Sequence, residues 1–369
     1  MLIQLALKGL LAAMIPLLMV WTARDSNKYR KLVWVTAFLT FDLIMFGAFT
    51  RLTDSGLGCP DWPGCYGHAN PIQALEQIRA AEALMPDGPV TVMKAWIEMI
   101  HRYFAMGVGV LIITMMLIAW RGWLKSQRQD SRFMPMYPTF LLCWVCLQGA
   151  FGAWTVTMKL QPVIVTIHLL LGVGLLAALV WFGTRQNEHA PVAAPRAMRT
   201  VAAVGLVLLF IQIALGGWVS TNYAALACPD YPLCNGQMVP EMDFEHGFTL
   251  WRELGKTGSG EYLPFAALVA IHWVHRSFAW VVIAIVAWLG LRARRIDGLQ
   301  RLGSFLLAAV ALQFATGTAT VFLEWPLALA VVHNGGAALL VALLTMLNYR
   351  VRFSALATAE RSTARLSPA

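Results

Sequence analysis

The sequence predicts an all-α integral membrane protein, built as two tandem four-helix transmembrane bundles related by a pseudo-two-fold axis, plus one extra N-terminal hydrophobic helix. Three observations predict this fold: 59% hydrophobic against 13% charged residues, nine long apolar segments, and an internal repeat. A soluble domain carries about 25% charged residues, so lipid must replace water around most of this surface. The net charge of +9 does not indicate nucleic acid binding, because cytoplasmic loops of membrane proteins are rich in Lys and Arg.

Nine segments are long enough to cross a bilayer, which takes about 20 apolar residues in a helix. Segment 2–22 lies before the repeat, and we interpret it as a retained helix with its N-terminus outside. Cleavage as a signal peptide would instead leave the basic stretch 24–31 on the outer side. The other eight segments are 32–50, 94–120, 136–158, 162–184, 199–221, 264–290, 300–322 and 326–350.

The loops alternate in charge along the chain. The basic loops carry Arg24, Lys28, Arg30, Lys31, Arg121, Lys125, Arg128, Arg132, Arg185, Arg196, Arg199, Arg292, Arg294, Arg295 and Arg301, and the tail from Arg350 belongs to the same set. The positive-inside rule places these loops and the C-terminus in the cytoplasm. The two long loops near 51–93 and 222–263 are therefore predicted to face outward.

An internal repeat organises the chain. Gly47–Pro60 reads GAFTRLTDSGLGCP and Gly216–Pro229 reads GGWVSTNYAALACP, and each motif runs on into a second cysteine. Further matches are Glu98-Met-Ile-His101-Arg102 with His272-Trp-Val-His275-Arg276, and the twenty-residue spacing of Gln148 and His168 with that of Gln313 and His333. Each half has four spans, so both halves enter the membrane in the same orientation, as parallel repeats do.

The repeat divides the chain into four parts. Residues 1–29 hold the extra segment and a basic loop, 30–190 form the N-terminal half, and 191–353 form the C-terminal half. The last part, 354–369, is rich in Ala, Ser, Thr and Arg, and we predict a disordered cytoplasmic tail.

Four histidines lie inside predicted spans at repeated positions: His101, His168, His275 and His333, with His272 as an unpaired fifth. Ionisable side chains inside a bilayer are costly and indicate function, although a single histidine can simply bond a neighbouring helix. Heme iron takes two axial imidazoles, and four-helix bundles build such sites from facing helices. Zinc would need three or four ligands. The pattern therefore predicts two hemes, one in each half, near the outer face.

Two arginines and several glycines near these histidines are further candidates for contact with the hemes. Arg102 and Arg276 each follow a ligand histidine and are candidates for heme propionates, since Arg suits carboxylates, although arginines also extend to the membrane interface. Small residues where a porphyrin would approach are Gly107, Gly109, Gly149, Gly152, Gly172, Gly174, Gly335 and Gly336. Glycine is also common at ordinary transmembrane helix contacts.

The six cysteines fall into two classes. The pairs Cys59–Cys65 and Cys228–Cys234 lie in the predicted outer loops, where an oxidising compartment favours disulfides over metal binding. Cys143 and Cys146 lie within an apolar helix, where cysteine behaves as a small hydrophobic residue, and we interpret them as packing residues.

The halves differ at one position beside a histidine. Glu98 stands three residues before His101, on the same helical face, and its counterpart is His272. A carboxylate beside a heme can accept a proton or stabilise a developing cation. The alternative is a carboxylate that anchors the start of the helix, which the helix dipole favours.

The stretch Gly47–Cys65 together with Glu98–Arg102 resembles the heme A synthase family of bacterial and mitochondrial respiratory chains, over about residues 30–350. The resemblance implies an oxidoreductase that acts on a CH group, converting a ring methyl of heme O to the formyl group of heme A for cytochrome c oxidase. It implies substrate heme O between His101 and His168, and a heme b cofactor between His275 and His333. Glu98 matches the family's catalytic glutamate, and Cys59 and Cys65 match its activity-linked pair.

The resemblance also implies a bacterial inner-membrane protein whose cysteine loops face the periplasm. Expected partners are the protoheme farnesyltransferase that makes heme O, cytochrome oxidase assembly factors and membrane lipid, but no nucleic acid, while a homo-oligomer is left open. Two alternatives stand beside it. A di-heme b-type cytochrome exchanging electrons with quinone explains the histidines but gives Glu98 and the cysteines no role. A transporter with repeated halves would bind no heme.

Overall fold

A computed structural model describes residues 1–189 and 191–366, with side chains to residue 352. The described chain is all α, with helices α1 Leu2–Thr22, α2 Lys28–Leu52, α3 Leu75–Leu84, α4 Val92–Lys125, α5 Met136–Thr157, α6 Pro162–Arg185, α7 Arg196–Thr221, α8 Phe244–Gly247, α9 Phe265–Ala293, α10 Gln300–Phe322 and α11 Leu327–Leu366. Within these ranges nine helices are long and apolar enough to cross a membrane. The predicted class and all nine predicted segments are confirmed.

Local sequence signals set several helix boundaries. The side chain of Asn27 caps α2 by accepting a hydrogen bond from the N–H of Arg30 at 3.0 Å, and the hydroxyl of Thr91 caps α4 through Lys94 N–H at 3.2 Å. Pro162 opens α6 at a position where its missing N–H costs nothing. The short helices α3 and α8 lie in the two long loops and were not predicted.

Each half of the chain packs mainly within itself. Helix α2 contacts α4 and α6, and α5 contacts α4 and α6; in the second half α9 contacts α7 and α10, and α11 contacts α7 and α10. The halves meet where α6 packs on α7 and where α11 packs on α2 and α6. The pseudo-two-fold relation between the bundles, and the side of the membrane that each loop faces, stay predictions.

Equivalent positions of the repeat touch one another at the loop end of this interface. Arg51 donates a hydrogen bond to the carbonyl of Ser220 at 2.6 Å, and the Tyr223 hydroxyl donates to Asp54 at 2.6 Å. In the repeat, position 51 corresponds to 220 and position 54 to 223, as Gly47 corresponds to Gly216. If the predicted pseudo-two-fold axis relates the two halves, residues that contact their own counterparts lie close to that axis.

The extra helix α1 packs closely along α4. A Cβ added at Gly9 would lie 2.9 Å from the Cβ of Met106, and one at Gly107 would lie 3.0 Å from that of Ala12. Small residues allow such close helix approach in membranes. At the N-terminal end of α1, Leu5 is buried in a cluster with Cys59 and Cys65. The N-terminus therefore lies at the same end of the molecule as the first cysteine loop.

The end of the chain differs from the sequence prediction. Helix α11 runs to Leu366, so 354–366 continue it, whereas the sequence analysis predicts a disordered tail over 354–369. Ala, Leu and Arg are strong helix formers, which allows the membrane helix to continue beyond its apolar span. The end of the predicted tail, 367–369, lies outside the described residues.

Candidate functional site

All four repeated histidines lie against a glycine of a neighbouring helix. The nearest imidazole atom would be 2.9–3.1 Å from a Cβ added at that glycine, in the pairs His101 with Gly47 of α2, His168 with Gly152 of α5, His275 with Gly216 of α7, and His333 with Gly317 of α10. The missing side chain lets each ring lie directly on a helix backbone. We call these four arrangements the histidine seats.

Each seat also brings the imidazole to the backbone of the residue four positions before the glycine. These residues are Leu43, Gln148, Gln212 and Gln313. At this spacing the backbone carbonyl is the one that accepts the glycine's own N–H within the helix. The seats of His168, His275 and His333 present Cε1 of the ring to the glycine, whereas that of His101 presents Nε2, so the four seats share the glycine contact but not one ring orientation.

The sequence analysis missed most of the seat glycines. Of the glycines it proposed near a porphyrin, Gly152 contacts a histidine, whereas Gly107 meets α1 and Gly335 meets Met45. The usable signal was the repeat itself, because Gly47 and Gly216 open the two matching motifs. Gly152 and Gly317 likewise stand sixteen residues before His168 and His333.

The histidines come together in the predicted pairs. In the second half, His275 and His333 line one cavity of about 170 Å³ with Gln212, Gln313 and Arg276. In the first half, His101 and His168 are close enough to interact electrostatically.

The donor set fits a heme in each half. Two imidazoles from different helices are the ligands that heme iron takes on its two faces. Each seat glycine leaves a space beside the imidazole that the side chain of any larger residue would fill. The Oε1 atoms of Gln148, Gln212 and Gln313 are buried and, among the described residues, have no hydrogen-bond partner. Unpaired buried oxygens are uncommon in folded proteins and indicate a site completed by a further group.

Glu98 joins α4 to the first cysteine loop. The residue is 4% exposed; its Oε2 accepts the backbone N–H of Cys59 at 2.8 Å, and its Oε1 pairs with Arg102. The carboxylate therefore does anchor structure, as the alternative reading expected, but it anchors a loop and not the start of the helix. Its counterpart His272 is buried beside the second-half cavity, and no described group pairs with its Nδ1.

The two arginines that follow His101 and His275 hold the cysteine loops. Arg102 donates to the carbonyls of Asp61 at 3.0 Å and of Gly64, and Arg276 donates to those of Asp230 at 2.8 Å and Leu233 at 3.0 Å. Sequence analysis did not anticipate these contacts. Binding of heme propionates by Arg102 and Arg276 stays a prediction.

Both loop cysteine pairs form disulfides, as predicted. The sulfur atoms are 2.10 Å apart in Cys59–Cys65 and 2.00 Å apart in Cys228–Cys234. In the second loop the carboxylate of Asp230 accepts the N–H groups of Asn235 at 2.6 Å and Gly236 at 2.8 Å. These two hydrogen bonds hold the pKa of Asp230 below its usual value, and the one from Gly236 has the larger effect.

The remaining two cysteines correct a prediction. Cys143 and Cys146 are exposed on the surface of α5, so the interpretation as packing residues is wrong. The residues lie on an apolar, membrane-spanning helix, where a thiol is compatible with lipid because it behaves as a small hydrophobic group. Hydropathy gave no sign of which face of α5 is covered.

The fold and the site define a helical, multi-pass membrane protein with two pairs of intramembrane histidines and a disulfide loop in each half. The COX15-CtaA family, described as cytochrome oxidase assembly protein, matches residues 30–345. A heme A synthase of Shewanella oneidensis is 38% identical over 327 residues, covering 86% of this chain and 96% of that protein. Heme A synthases of Caulobacter sp. (30% over 343 residues; 87% and 95%) and Bradyrhizobium diazoefficiens (29% over 350; 87% and 91%) are also similar. The chain belongs to the COX15-CtaA family.

Proposed function

We propose that this chain is an oxidoreductase that makes heme A, by oxidising a ring methyl group of heme O to a formyl group. The family match and the heme A synthases similar to it over most of their length support this proposal. The paired histidines support it independently, because each half offers two imidazoles on different helices. The farnesyltransferase reaction that forms heme O would supply the substrate.

The two halves would have different roles. His101 and His168 would hold the substrate heme O, and His275 and His333 would hold heme b. When bound, the hemes supply one-electron chemistry at iron. The protein contributes the orientation of the rings, through the seats.

Glu98 is the observation that carries the assignment of chemistry to the first half. Its carboxylate lies one helical turn from His101 and is fixed by the Cys59 N–H and by Arg102. A carboxylate held in one orientation beside a reacting group can take up or release a proton. The second half has His272 at this place, so the two halves are not chemically equivalent.

We also propose that both cysteine loops face the periplasm of a bacterial cell. The loop charges support this orientation, and so do the two disulfides, which persist in oxidising compartments. The site would then lie near the outer surface, since Glu98, Arg102 and Arg276 all contact these loops.

The test is reverse-phase analysis of the hemes bound after co-expression with a heme O synthase. Wild type should contain heme A and heme B, and His101→Ala should lose the substrate heme. Glu98→Gln keeps an oxygen acceptor for the Cys59 N–H but cannot serve as a carboxylate, so heme O should remain bound and heme A should disappear. His272→Ala is the matched variant in the other half and should still produce heme A.

If Glu98→Gln produced normal amounts of heme A, Glu98 could not be the proton-handling group. Wild-type protein that contains heme B alone would instead favour the di-heme b-type cytochrome. A colourless wild-type protein would contradict both, and would leave the histidine pairs as helix contacts.

A further inference from the structure

One histidine of the second half has a threonine hydroxyl within hydrogen-bond distance of its Nδ1. The Thr316 hydroxyl lies 2.9 Å from the carbonyl oxygen of Leu312 and 3.0 Å from Nδ1 of His333. A hydroxyl has one proton to donate, and a carbonyl can only accept it. With its proton donated to the carbonyl of Leu312, the Thr316 hydroxyl is an acceptor for an Nδ1–H of His333.

The opposite side of the same ring agrees with this tautomer. The amide Nε2 of Gln313 lies 3.2 Å from Nε2 of His333. Since an amide nitrogen only donates, Nε2 of His333 presents its lone pair. This is the nitrogen that remains free to bind a metal when Nδ1 carries the proton.

The first half lacks this threonine. The position equivalent to 316 is Phe151, by the same offset of 165 that relates His168 to His333. Phe151 packs on Trp154, with ring centroids 4.9 Å apart. Nδ1 of His168 is buried and has no hydrogen-bond partner of normal geometry in the described part of the chain.

The other histidine pair differs in another way, because the side chain that faces Nδ1 there is a hydrogen-bond donor. Nε2 of Gln212 lies 3.1 Å from Nδ1 of His275 and 3.1 Å from its carbonyl oxygen, which ties the ring to α7. The position equivalent to 212 is Leu43, which offers His101 only its backbone. Gln212 thus orients the His275 ring but cannot accept a proton from it, so Thr316 is the side chain that offers an acceptor to Nδ1.

We propose that Thr316 is a positioning residue that makes the second half retain its heme, while the first half, with Phe151 at the equivalent position, releases its heme readily. This inference rests on the proposed function, in which the first heme is a substrate that must leave as product. A hydrogen bond at the second nitrogen of a metal-bound imidazole fixes its tautomer and orientation and raises its basicity. Loss of such a partner costs about 10–100-fold in metal affinity.

The experiment measures the rate of heme transfer from purified protein to excess apomyoglobin. His101→Ala is the background, so that only the second-half heme is followed. Thr316→Val removes the hydroxyl but keeps the branched shape, and should speed heme loss about 10–100-fold. Thr316→Ser restores the hydroxyl and should return the rate to that of the background.

Thr184→Val is the matched control. Thr184 is also a buried membrane-helix threonine whose hydroxyl donates to the carbonyl four residues earlier, at 2.7 Å. Its hydroxyl contacts no histidine; only its backbone carbonyl does, at 2.9 Å from Nε2 of His189, and that contact does not depend on the side chain. Its replacement should leave the rate unchanged. The converse variant is Phe151→Thr in a His275→Ala background, which should slow heme loss from the first half.

Equal rates for Thr316→Val and its background would overturn the inference, as would equal acceleration by Thr184→Val or failure of Thr316→Ser to restore the slow rate. These outcomes differ from a failure of the proposed function. In that case wild-type protein makes no heme A, whatever the rates of heme transfer.

Discussion

Replacement of the seat glycine Gly152 by alanine tests whether the histidine seats govern heme binding. The new Cβ would lie 3.1 Å from Cε1 of His168. Carbon atoms prefer about 3.5–4.0 Å, so the ring must move by at least about 0.4 Å. Overpacking of this kind costs about 1–3 kcal/mol, whereas alanine gains about 1 kcal/mol over glycine in helix propensity. Gly152→Ala should therefore be neutral or destabilising by up to about 2 kcal/mol.

Gly149 provides the control three residues earlier on the same helix. Apart from its chain neighbours and its own helix backbone, no described atom lies within 4 Å of a Cβ added there, so Gly149→Ala should gain the propensity term alone. We expect the thermal midpoint of Gly149→Ala to exceed that of Gly152→Ala in the same detergent. The heme content of the first half, measured in a His275→Ala background, should fall only for Gly152→Ala. Equal midpoints together with equal heme content would refute the reasoning that the seat requires glycine.

Three further predictions concern the loops and the extra helix. The Asp230 carboxylate has a lowered pKa, so its stabilisation of the second loop is present above the unfolded value of about 4 and is lost as pH falls through the folded pKa. Hydrogen-exchange protection factors at 228–237, which correct for the pH dependence of the intrinsic exchange rate, should therefore fall at acid pH in wild type and change less in Asp230→Asn. Replacing both Cys228 and Cys234 by serine should lower the loop's stability by about 2 kcal/mol, from the chain-entropy cost of a short closed loop, seen as faster proteolysis. Removing 1–23 uncovers the cluster that buries Leu5, so exchange should rise at 59–65 and stay unchanged at 228–234; equal rises in both loops would contradict a local role for α1.

The membrane helices were predictable because hydropathy over 20 residues is a strong signal that depends little on tertiary structure. The pairing of His101 with His168 and of His275 with His333 was predicted from the repeat, and the structure brings each pair together. The short helix α3 was missed because a ten-residue amphipathic segment in a polar loop has no comparable signal.

The partners of the charged residues could not be predicted from the sequence. Arg102 and Arg276 contact carbonyl oxygens about forty residues away, and carbonyls have no sequence signature. The contact of Glu98 with the backbone N–H of Cys59 could not be predicted either, because backbone groups have no sequence signature. The role of α1 was also open, because its partner face on α4 is marked only by Gly107, one small residue among many.

The contact of Arg51 with position 220, and of Asp54 with position 223, has a consequence for the origin of the two halves. A half-length ancestor that assembled as a homodimer would have placed residue 51 of one copy against residue 51 of the other. Two aspartates at position 54 would repel there, whereas in this chain a tyrosine hydroxyl of the second half donates to a single aspartate of the first. The Arg51 contact does not depend on the side chain at 220, because it ends on a backbone carbonyl. Divergence between the halves is therefore what makes the Asp54–Tyr223 contact possible at their junction, just as it sets Glu98 against His272.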